Sequence, residues 1–498
     1  MSTSPSKDDL YSLIHTLDKA EKRNFVLKCN KYKSRKGKNR IGLFHAIIKY
    51  DIHDDNQLLQ LFASTPLVNN FSYEKHRLYE LILDCLSEHH AESTSRLHFN
   101  SEFRKIEILI LKRSFEPALR RIVKSKRQAW QLEQYAAVLH LCEYEREVLG
   151  FTEANPRQKQ IELNEEKKRA LERLKMIEDL EKIRLEMGLA VTQDGLPVAG
   201  KSDGLFLAFE KMPDVNMLHS DSYSERLAYY RTAAFYFNAA LDFEGANRCH
   251  DNRYELYSKH DFLIDKDPEE YIRFLYFFGL NTISIGQYEK GKTIIGSLQR
   301  LRKPIAKQIN RKLPDELEMR IVPLELYYYC VTDNVEAVVA GEKDFEKYYN
   351  GYSKSMPTER VDAFVYNLAQ FYFIHDRFAQ AGKWNNYIVN NPDSRHNKQI
   401  FFYALYLSAL IAYRRDKPEL AESIALSCRR MSRNKLDKTF AFERELCDLL
   451  FAVLKTPGRT EEERLVDLFY EKYETVIRNN LRQHPFLEKW LGERAASY

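Results

Sequence analysis

Short polar turns, each followed by a small residue, recur at a nearly constant interval through the second half of the chain. The small residues are Ala246, Gly291, Ala337, Ala381 and Ala421, at successive spacings of 45, 46, 44 and 40 positions. Recurrence with a period of about 20 to 50 residues indicates repeated structural units that stack on one another. The pattern therefore predicts pairs of antiparallel helices, and Ala118, in the turn SFEPA, fits as an earlier member of the series.

The composition also favours long helices. Glycine and proline number 17 and 15 in 498 residues, below their usual shares of roughly 7% and 5%. Hydrophobic residues make up 44% and charged residues 30%, which is sufficient for a folded core. The formal charge of +5 is small for this length, so it does not by itself indicate a nucleic-acid partner.

The seven cysteines lie far apart and none forms a CxxC motif, which predicts buried, reduced thiols in a cytoplasmic protein. The first residues, MSTSPSKDDLYSL, lack the basic-then-apolar pattern of a secretion signal. No stretch approaches the ~18 apolar residues that a membrane span needs. We therefore expect no membrane association.

The repeating turns resemble those of the tetratricopeptide repeat. Gly279 and Gly291 fall where that motif places small residues in its first and second helices, and Ala369 and Ala409 fall at the first-helix site of later units. Tyr372 lies at the aromatic site of the motif. The resemblance covers about residues 223–430 and, more weakly, 99–150.

The resemblance is incomplete. The period exceeds the roughly 34 residues of the family, the tryptophan of the motif is missing, and Glu325 stands at a small-residue site. The segments LDKAEKRNF and HRLYELIL are also similar to the start of uncharacterised bacterial tetratricopeptide-like proteins. The resemblance implies an all-α fold, a right-handed superhelix of helix pairs (a tetratricopeptide-like α-solenoid) with an irregular helical N-terminal region.

Five segments are predicted along the chain. They are a helical N-terminal region (1–98), a helical hairpin plus a long charged helix (99–187), a linker (188–222), the repeats (223–440) and C-terminal capping helices (441–498). In the first segment, residues 8–29 read as one amphipathic helix, and Gly37 is expected to break the next. The charged helix over 157–187 has a narrow apolar seam, so it is either a coiled-coil arm for a partner or a helix packed on its own molecule.

Residues Gly286 to Thr293 satisfy the phosphate-loop pattern G-x-x-x-x-G-K-[ST]. Such a loop needs a buried strand before it and N–H groups free to face phosphate. Here an aromatic-rich helical run precedes it, and the loop would hold the acidic Glu289. We therefore interpret the segment as a helix–turn–helix hinge, with Gly286 at the helix end, Gly291 at the close approach and Tyr288 in the core.

Helix-pair solenoids typically hold a peptide or another helix in a concave groove. The sequence therefore predicts a non-catalytic interaction or scaffold protein, without cofactor or metal; it leaves the partner's identity and the oligomeric state open. The predicted groove residues are Tyr229, Tyr236, Asn238, Asn281, Asn367, Tyr406 and Arg414.

The alternative is a regulatory protein that binds nucleic acid. The segment Lys28 to Arg40 contains no acidic residue, and further basic clusters lie at 120–127, 300–312 and 429–435. If these clusters shared a face, they could follow a phosphate backbone. The predicted contacts in the first cluster are Lys31, Lys33, Arg35 and Lys36. An NTPase centred on Gly286 to Thr293 is the third hypothesis.

Overall fold

The computed structural model of the protein describes most of the chain. The described residues are 9–31, 35–152, 156–194, 203–219, 221–240, 242–306, 309–396, 398–434, 441–456, 459–481 and 484–495. Within these ranges the regular structure is helical and no strand occurs, which confirms the all-α prediction. The chain divides into two compact units. The first unit comprises Met1–Asp242, Arg248–Pro268 and Gln308–Asn310, and the second comprises Phe243–Asn247, Glu269–Lys307 and Arg311–Tyr498.

The first unit is built from short helices at its start and longer ones after residue 70. Its helices are α1 (Asp9–Thr16), α2 (Lys19–Lys31), α3 (Arg35–Tyr50), α4 (Asp55–Leu61), α5 (Phe71–His89), α6 (Ser95–Leu111), α7 (Phe115–Gln131), α8 (Tyr135–Thr152), α9 (Pro156–Asp194), α10 (Asp203–Phe209) and α11 (Tyr223–Ala239), followed by α12 (Phe243–Lys259), which crosses the division, and α13 (Phe262–Lys266). Short 3₁₀ turns lie at Pro66–Asn70 and Val215–Met217.

The predicted single helix over 8–29 is wrong, because a new helix begins after Asp18. The Asp18 carboxylate accepts the N–H of Glu21 at 2.8 Å, and the Glu21 carboxylate accepts the N–H of Asp18 at 2.6 Å. This reciprocal pair is a capping box, which satisfies two helix N-terminal donors at once. The predicted break at Gly37 is also wrong, because Gly37 lies inside α3.

The long charged helix is α9, and it packs against α8, α10 and α11. Its buried side chains follow the predicted seam: Ala170, Leu180 and Met187 have no exposed surface, and Ile183 is 7% exposed. The structure thus favours the helix packed on its own molecule over the free arm. The predicted linker region, 188–222, contains the end of α9 and all of α10.

The second unit consists of helix pairs followed by a C-terminal group of three helices. Its helices are α14 (Pro268–Ser284), α15 (Tyr288–Arg300), α16 (Arg302–Ile305), α17 (Leu313–Val331), α18 (Val335–Ala340), α19 (Glu342–Tyr352), α20 (Thr358–Ile374), α21 (Phe378–Val389), α22 (Lys398–Arg414), α23 (Pro418–Asn434), α24 (Ala441–Lys455), α25 (Arg459–Leu481) and α26 (Pro485–Ala495). A 3₁₀ turn lies at Asp393–His396.

One turn geometry joins six pairs of consecutive helices: α6–α7, α7–α8, α14–α15, α17–α18, α20–α21 and α22–α23. Two residues before the second helix begins, the backbone is left-handed, with φ between 48° and 81°. These residues are Arg113, Glu133, Gly286, Asp333, Asp376 and Asp416. The next residue donates its N–H to the carbonyl five positions earlier, as Arg377 does to Tyr372 at 2.9 Å. This is the Schellman motif, which ends a helix and satisfies its last carbonyl groups.

Buried positions twelve residues apart occur in six helix pairs, α6–α7, α11–α12, α14–α15, α17–α18, α20–α21 and α22–α23. One position lies in the first helix and the other is the fourth residue of the second. These positions are Ile106 with Ala118, Ala234 with Ala246, Gly279 with Gly291, Leu326 with Val338, Ala369 with Ala381, and Ala409 with Ala421.

The predicted register of one pair was wrong by one residue. The fourth residue of α18 is Val338, which is completely buried, whereas Ala337 is half-buried. The corresponding first-helix residue is therefore Leu326, 1% exposed, and not Glu325. Glu325 accepts a hydrogen bond from Gln299 and is not at a packing site. The apparent departure of this pair from the small-residue pattern is thus a pair of larger core residues.

The two compact units do not begin and end at the bounds of the five predicted segments, because those segments are defined by the repeat pattern. Those bounds stay a prediction. No helix in the described ranges combines the length and the apolar character that crossing a membrane requires.

Candidate helix-binding face

The first helices of the last two pairs, α20 and α22, are buried on nearly all sides. Eleven of the 17 residues of α20 and ten of the 17 residues of α22 are buried. A helix that buries only one face against its neighbours leaves the opposite face in solvent. These two helices therefore have neighbours on most of their sides.

One of these neighbours is α26, the last helix of the described residues. Phe486 and Trp490 contribute the largest rings of α26, and both are completely buried. The ring centroid of Phe486 lies 6.4 Å from that of Tyr366 and 6.1 Å from that of Phe373, both in α20. In α22, the Tyr406 ring lies 5.7 Å from Trp490. We call this contact surface of α20 and α22 the first-helix face.

Two sets of polar contacts accompany the packing of α26 on the first-helix face. At the start of the helix, His484 Nδ1 and the Tyr366 hydroxyl share a hydrogen bond of 2.8 Å, and the His484 ring stacks on Tyr403 at 3.6 Å. Burial lowers the pKa of His484 to about 3, so its imidazole is neutral. Further along, Lys489 Nζ donates to the carboxylate of Asp376 at 2.9 Å and to a carbonyl of the last turn of α20.

The hydroxyls of two buried tyrosines of α22 form hydrogen bonds with α24. Tyr403 donates to the Glu443 carboxyl at 3.0 Å, and Tyr406 donates to the carbonyl of Leu446 at 3.3 Å. Burial raises the pKa of Glu443 and raises the pKa of both tyrosines well above the usual value. These hydrogen bonds satisfy the buried hydroxyls and join α22 to α24.

The predicted groove residues do not share one environment. Asn281 is 4% exposed, so it is a core residue and the prediction for it is wrong. Tyr406 is also completely buried, but it lies against Trp490 of α26 on the first-helix face. Its contact with a partner therefore stays a prediction. The half-buried ones are Tyr229, Tyr236, Asn238, Asn367 and Arg414. Tyr229, Tyr236 and Asn238 belong to the first unit and the other four to the second.

The phosphate-loop pattern lies on a helix–turn–helix. Its first glycine, Gly286, has a φ of 81° and ends α14, and residues 288–293 are the start of α15. The element before the turn is therefore a helix, and Thr293 donates to the carbonyl of Glu289 at 3.0 Å. A Cβ on Gly291 would lie 2.6 Å from Ile283 Cγ1, as expected for a close helix approach. Tyr288, predicted to be core, is 39% exposed.

Several cations of the basic clusters behind the nucleic-acid alternative form ion pairs. These pairs are Arg121 with Glu102, Lys126 with Glu145 and Glu166, Arg302 with Glu318, and Arg429 with Asp448. A cation that pairs with a carboxylate of its own chain adds little net positive charge to a surface. The side chains of Lys31, Lys33, Arg35 and Lys36 lie outside what the structure describes.

Potential metal ligands come together at one place in the described part of the chain: His15, Asp51 and His53. No sequence pattern indicates this group, because its histidines are 38 positions apart and follow no metal-binding spacing. Histidines elsewhere have other contacts: His98 contacts Glu92 and Gln128, and His260 stacks on Tyr223.

Comparison of the chain with protein-family models, with curated proteins and with solved structures gave no match. The tetratricopeptide resemblance therefore stands on the turns and buried pairs of this chain alone.

Proposed function

We propose that this is a non-catalytic, cytoplasmic interaction protein that binds an amphipathic helix of a partner protein on the first-helix face. On this proposal the helix pairs stack as a right-handed, tetratricopeptide-like superhelix. The repeated Schellman turns and the buried positions twelve residues apart support the stacking. Seven cysteines without a disulfide, six of them buried, support a reducing compartment.

The observation that supports the proposal most directly is the packing of α26 on this face. Its anchors are Phe486, Leu487, Trp490 and Leu491, at most 1% exposed. Their spacing of i, i+1, i+4 and i+5 places them along one side of a helix, which is how an amphipathic helix enters a hydrophobic groove. A surface that accepts this helix from its own chain has the shape and the apolar character to accept a similar helix from another.

Partner binding then requires that α26 dissociate from the first-helix face. Removing the side chains of Trp490 and Leu491 beyond Cβ should strongly weaken the packing of α26 on this face, since truncating a buried Trp or Leu costs about 2–5 kcal/mol each. The test uses a fluorescent peptide with the sequence of residues 484–495 as a stand-in for the partner helix. It is titrated into the intact protein and into the full-length double variant Trp490→Ala/Leu491→Ala.

We expect the double variant to bind the peptide at least about tenfold more tightly than the intact protein, because its face is no longer occupied. The control Leu420→Ala removes a leucine side chain from a position that is 50% exposed and should leave peptide affinity unchanged. A peptide lacking the Phe486 and Trp490 rings should not bind. If the double variant keeps its helix content and still binds no peptide, α26 is ordinary core and the proposal fails.

A further inference from the structure

We propose that His15, Asp51 and His53 form a binding site for a divalent transition-metal ion such as Zn²⁺. The three residues lie where two helices of the first unit end. His15 is in the last turn of α1, and Asp51 follows directly on α3. His53 lies two residues further, before α4. The site is thus formed by two chain segments that the core of this unit holds together, and it is independent of the first-helix face.

The ligand atoms already lie at nearly the separations that a metal ion imposes. Asp51 Oδ1 is 3.6 Å from His15 Nδ1 and 3.4 Å from His53 Nε2, and all three lie within 4.8 Å of one another. Bonds of about 2.0–2.1 Å in tetrahedral geometry place neighbouring ligand atoms about 3.3–3.5 Å apart. Only the gap between the two histidine nitrogens can require closing, and His53, with a side chain 63% exposed, is free to turn.

The hydrogen bond of His15 leaves the correct nitrogen available. Its Nε2 lies 3.1 Å from the carbonyl oxygen of Ile52. A carbonyl only accepts hydrogen bonds, so Nε2 carries the proton, and in the neutral ring the Nδ1 lone pair faces Asp51. Metal-binding histidines usually donate their second N–H in this way, which fixes both the tautomer and the ring orientation. His15 therefore has the orienting contact typical of a metal ligand.

The backbone around Asp51 is held by the core. Asp51 has a φ of 51°, and the following N–H, that of Ile52, bonds to the carbonyl of Ile47 at 3.1 Å. Ile52 is 4% exposed and packs in the same core cluster as Ile14, the neighbour of His15. The two ends of the site are therefore fixed relative to each other before any ion binds, which reduces the entropy cost of binding.

The local electrostatics favour a cation. Two helices end at this point, and helix C-termini carry partial negative charge. The Asp51 carboxylate, whose side chain is 80% exposed, adds a full negative charge. The two imidazole rings stack with their centroids 4.4 Å apart and their planes at 29°. Two positively charged rings at this distance would repel each other, whereas two neutral rings sharing one cation would not.

The ligand set selects the class of ion. Imidazole nitrogen suits Zn²⁺, Cu²⁺, Ni²⁺ and Fe²⁺ better than Mg²⁺ or Ca²⁺, which prefer oxygen ligands. Three protein ligands leave at least one position for water, and the exposure of Asp51 and His53 leaves that position open to solvent.

The test measures Zn²⁺ binding to the full-length, untagged protein by competition with a chromophoric chelator. We expect one Zn²⁺ per chain. Asp51→Asn and His53→Gln should each weaken binding by at least about tenfold, since even the outer partners of metal ligands are worth about 10–100-fold. Asparagine tolerates the left-handed backbone at position 51, so Asp51→Asn should keep its fold. His76→Gln changes an exposed histidine of α5 that belongs to no such cluster and should leave binding unchanged.

Two readouts separate this site from a cluster of ion pairs. Co²⁺ in the intact protein should give visible d–d absorption that Asp51→Asn abolishes, and Zn²⁺ should raise the urea midpoint of the intact protein but not that of His53→Gln. If the intact protein binds no Zn²⁺, or if the Asp51 and His53 variants bind as tightly as the His76 control, the three residues are only neighbouring polar groups and the proposal is overturned.

Discussion

Replacing Gly291 by alanine tests how closely α14 and α15 approach each other. An added Cβ would lie 2.6 Å from Ile283 Cγ1 and 3.4 Å from its Cδ1. Ile283 is completely buried, and a β-branched side chain in a helix has one strongly preferred χ1 rotamer. The isoleucine therefore cannot turn away at low cost, and we expect the two helices to move apart.

The magnitude follows from two opposing terms. Overpacking a core position costs typically about 1–3 kcal/mol, while replacing glycine by alanine inside a helix gains about 1 kcal/mol. Gly291→Ala should therefore lower the free energy of unfolding by up to about 2 kcal/mol. Gly296→Ala, in the same helix, is the matched control, because its Cβ would meet nothing within 4 Å. It should raise stability by up to about 1 kcal/mol.

The difference between the two variants is the more reliable quantity, because the helix-propensity gain is the same in both. We expect Gly291→Ala to be less stable than Gly296→Ala by about 1–3 kcal/mol. Urea unfolding followed by tryptophan fluorescence measures this, since Trp384 and Trp490 are buried in the second unit. A Trp130→Phe background removes the only other tryptophan. Equal stability of the two variants would refute the close approach, because the helices would then have room for a methyl group.

Two further predictions concern buried charges. Lys126→Ala should lower the free energy of unfolding, measured in urea, by about 3–5 kcal/mol, because it leaves the buried Glu145, with a side chain 2% exposed, without its partner. Lys124→Ala, at an exposed position of the same helix, is the control and should change the free energy of unfolding by less than about 0.5 kcal/mol. Burial raises the pKa of Asp362, so between the unfolded and the folded pKa only the folded state keeps the proton. Stability should therefore fall as the pH rises through that range. Asp362→Asn should be more stable than the intact protein at pH 7, and the difference between them should vanish in acid.

The helices and their pairing could be predicted from the sequence, because both depend on local pattern. The turn before Ala381 shows why: the small residue, the polar turn and the apolar spacing all lie within about twenty residues. The capping box at Asp18 was equally local, and the acidic residues three positions apart would have marked the start of α2. The register error at Ala337 arose because a small residue was assumed where the chain uses Val338.

The environment of the first helices could not be predicted in the same way. Tyr406 has the pattern of a groove residue, and its burial depends on α26, which begins 79 positions later. The spacing of apolar residues in α22 does not indicate whether a helix from a distant part of the chain covers Tyr406. The same holds for His15 and Asp51, which come together only because α1 and α3 share a core. Contacts between distant segments depend on how the helices pack, and the spacing within one helix does not encode this.

The occupied face sets a condition on any partner that the proposed function involves. Since α26 follows α25 directly in the chain, its effective concentration at the first-helix face is high, on the order of millimolar for a short connection. A partner helix with the same anchors as Phe486 and Trp490 would therefore compete poorly at ordinary concentrations. Effective binding needs either additional contacts outside the first-helix face or a change that releases α26. Lys489 holds α26 to the end of α20 through two contacts, one with a carbonyl and one with the Asp376 carboxylate. A partner that bound Asp376 would remove the second contact and so help to release α26.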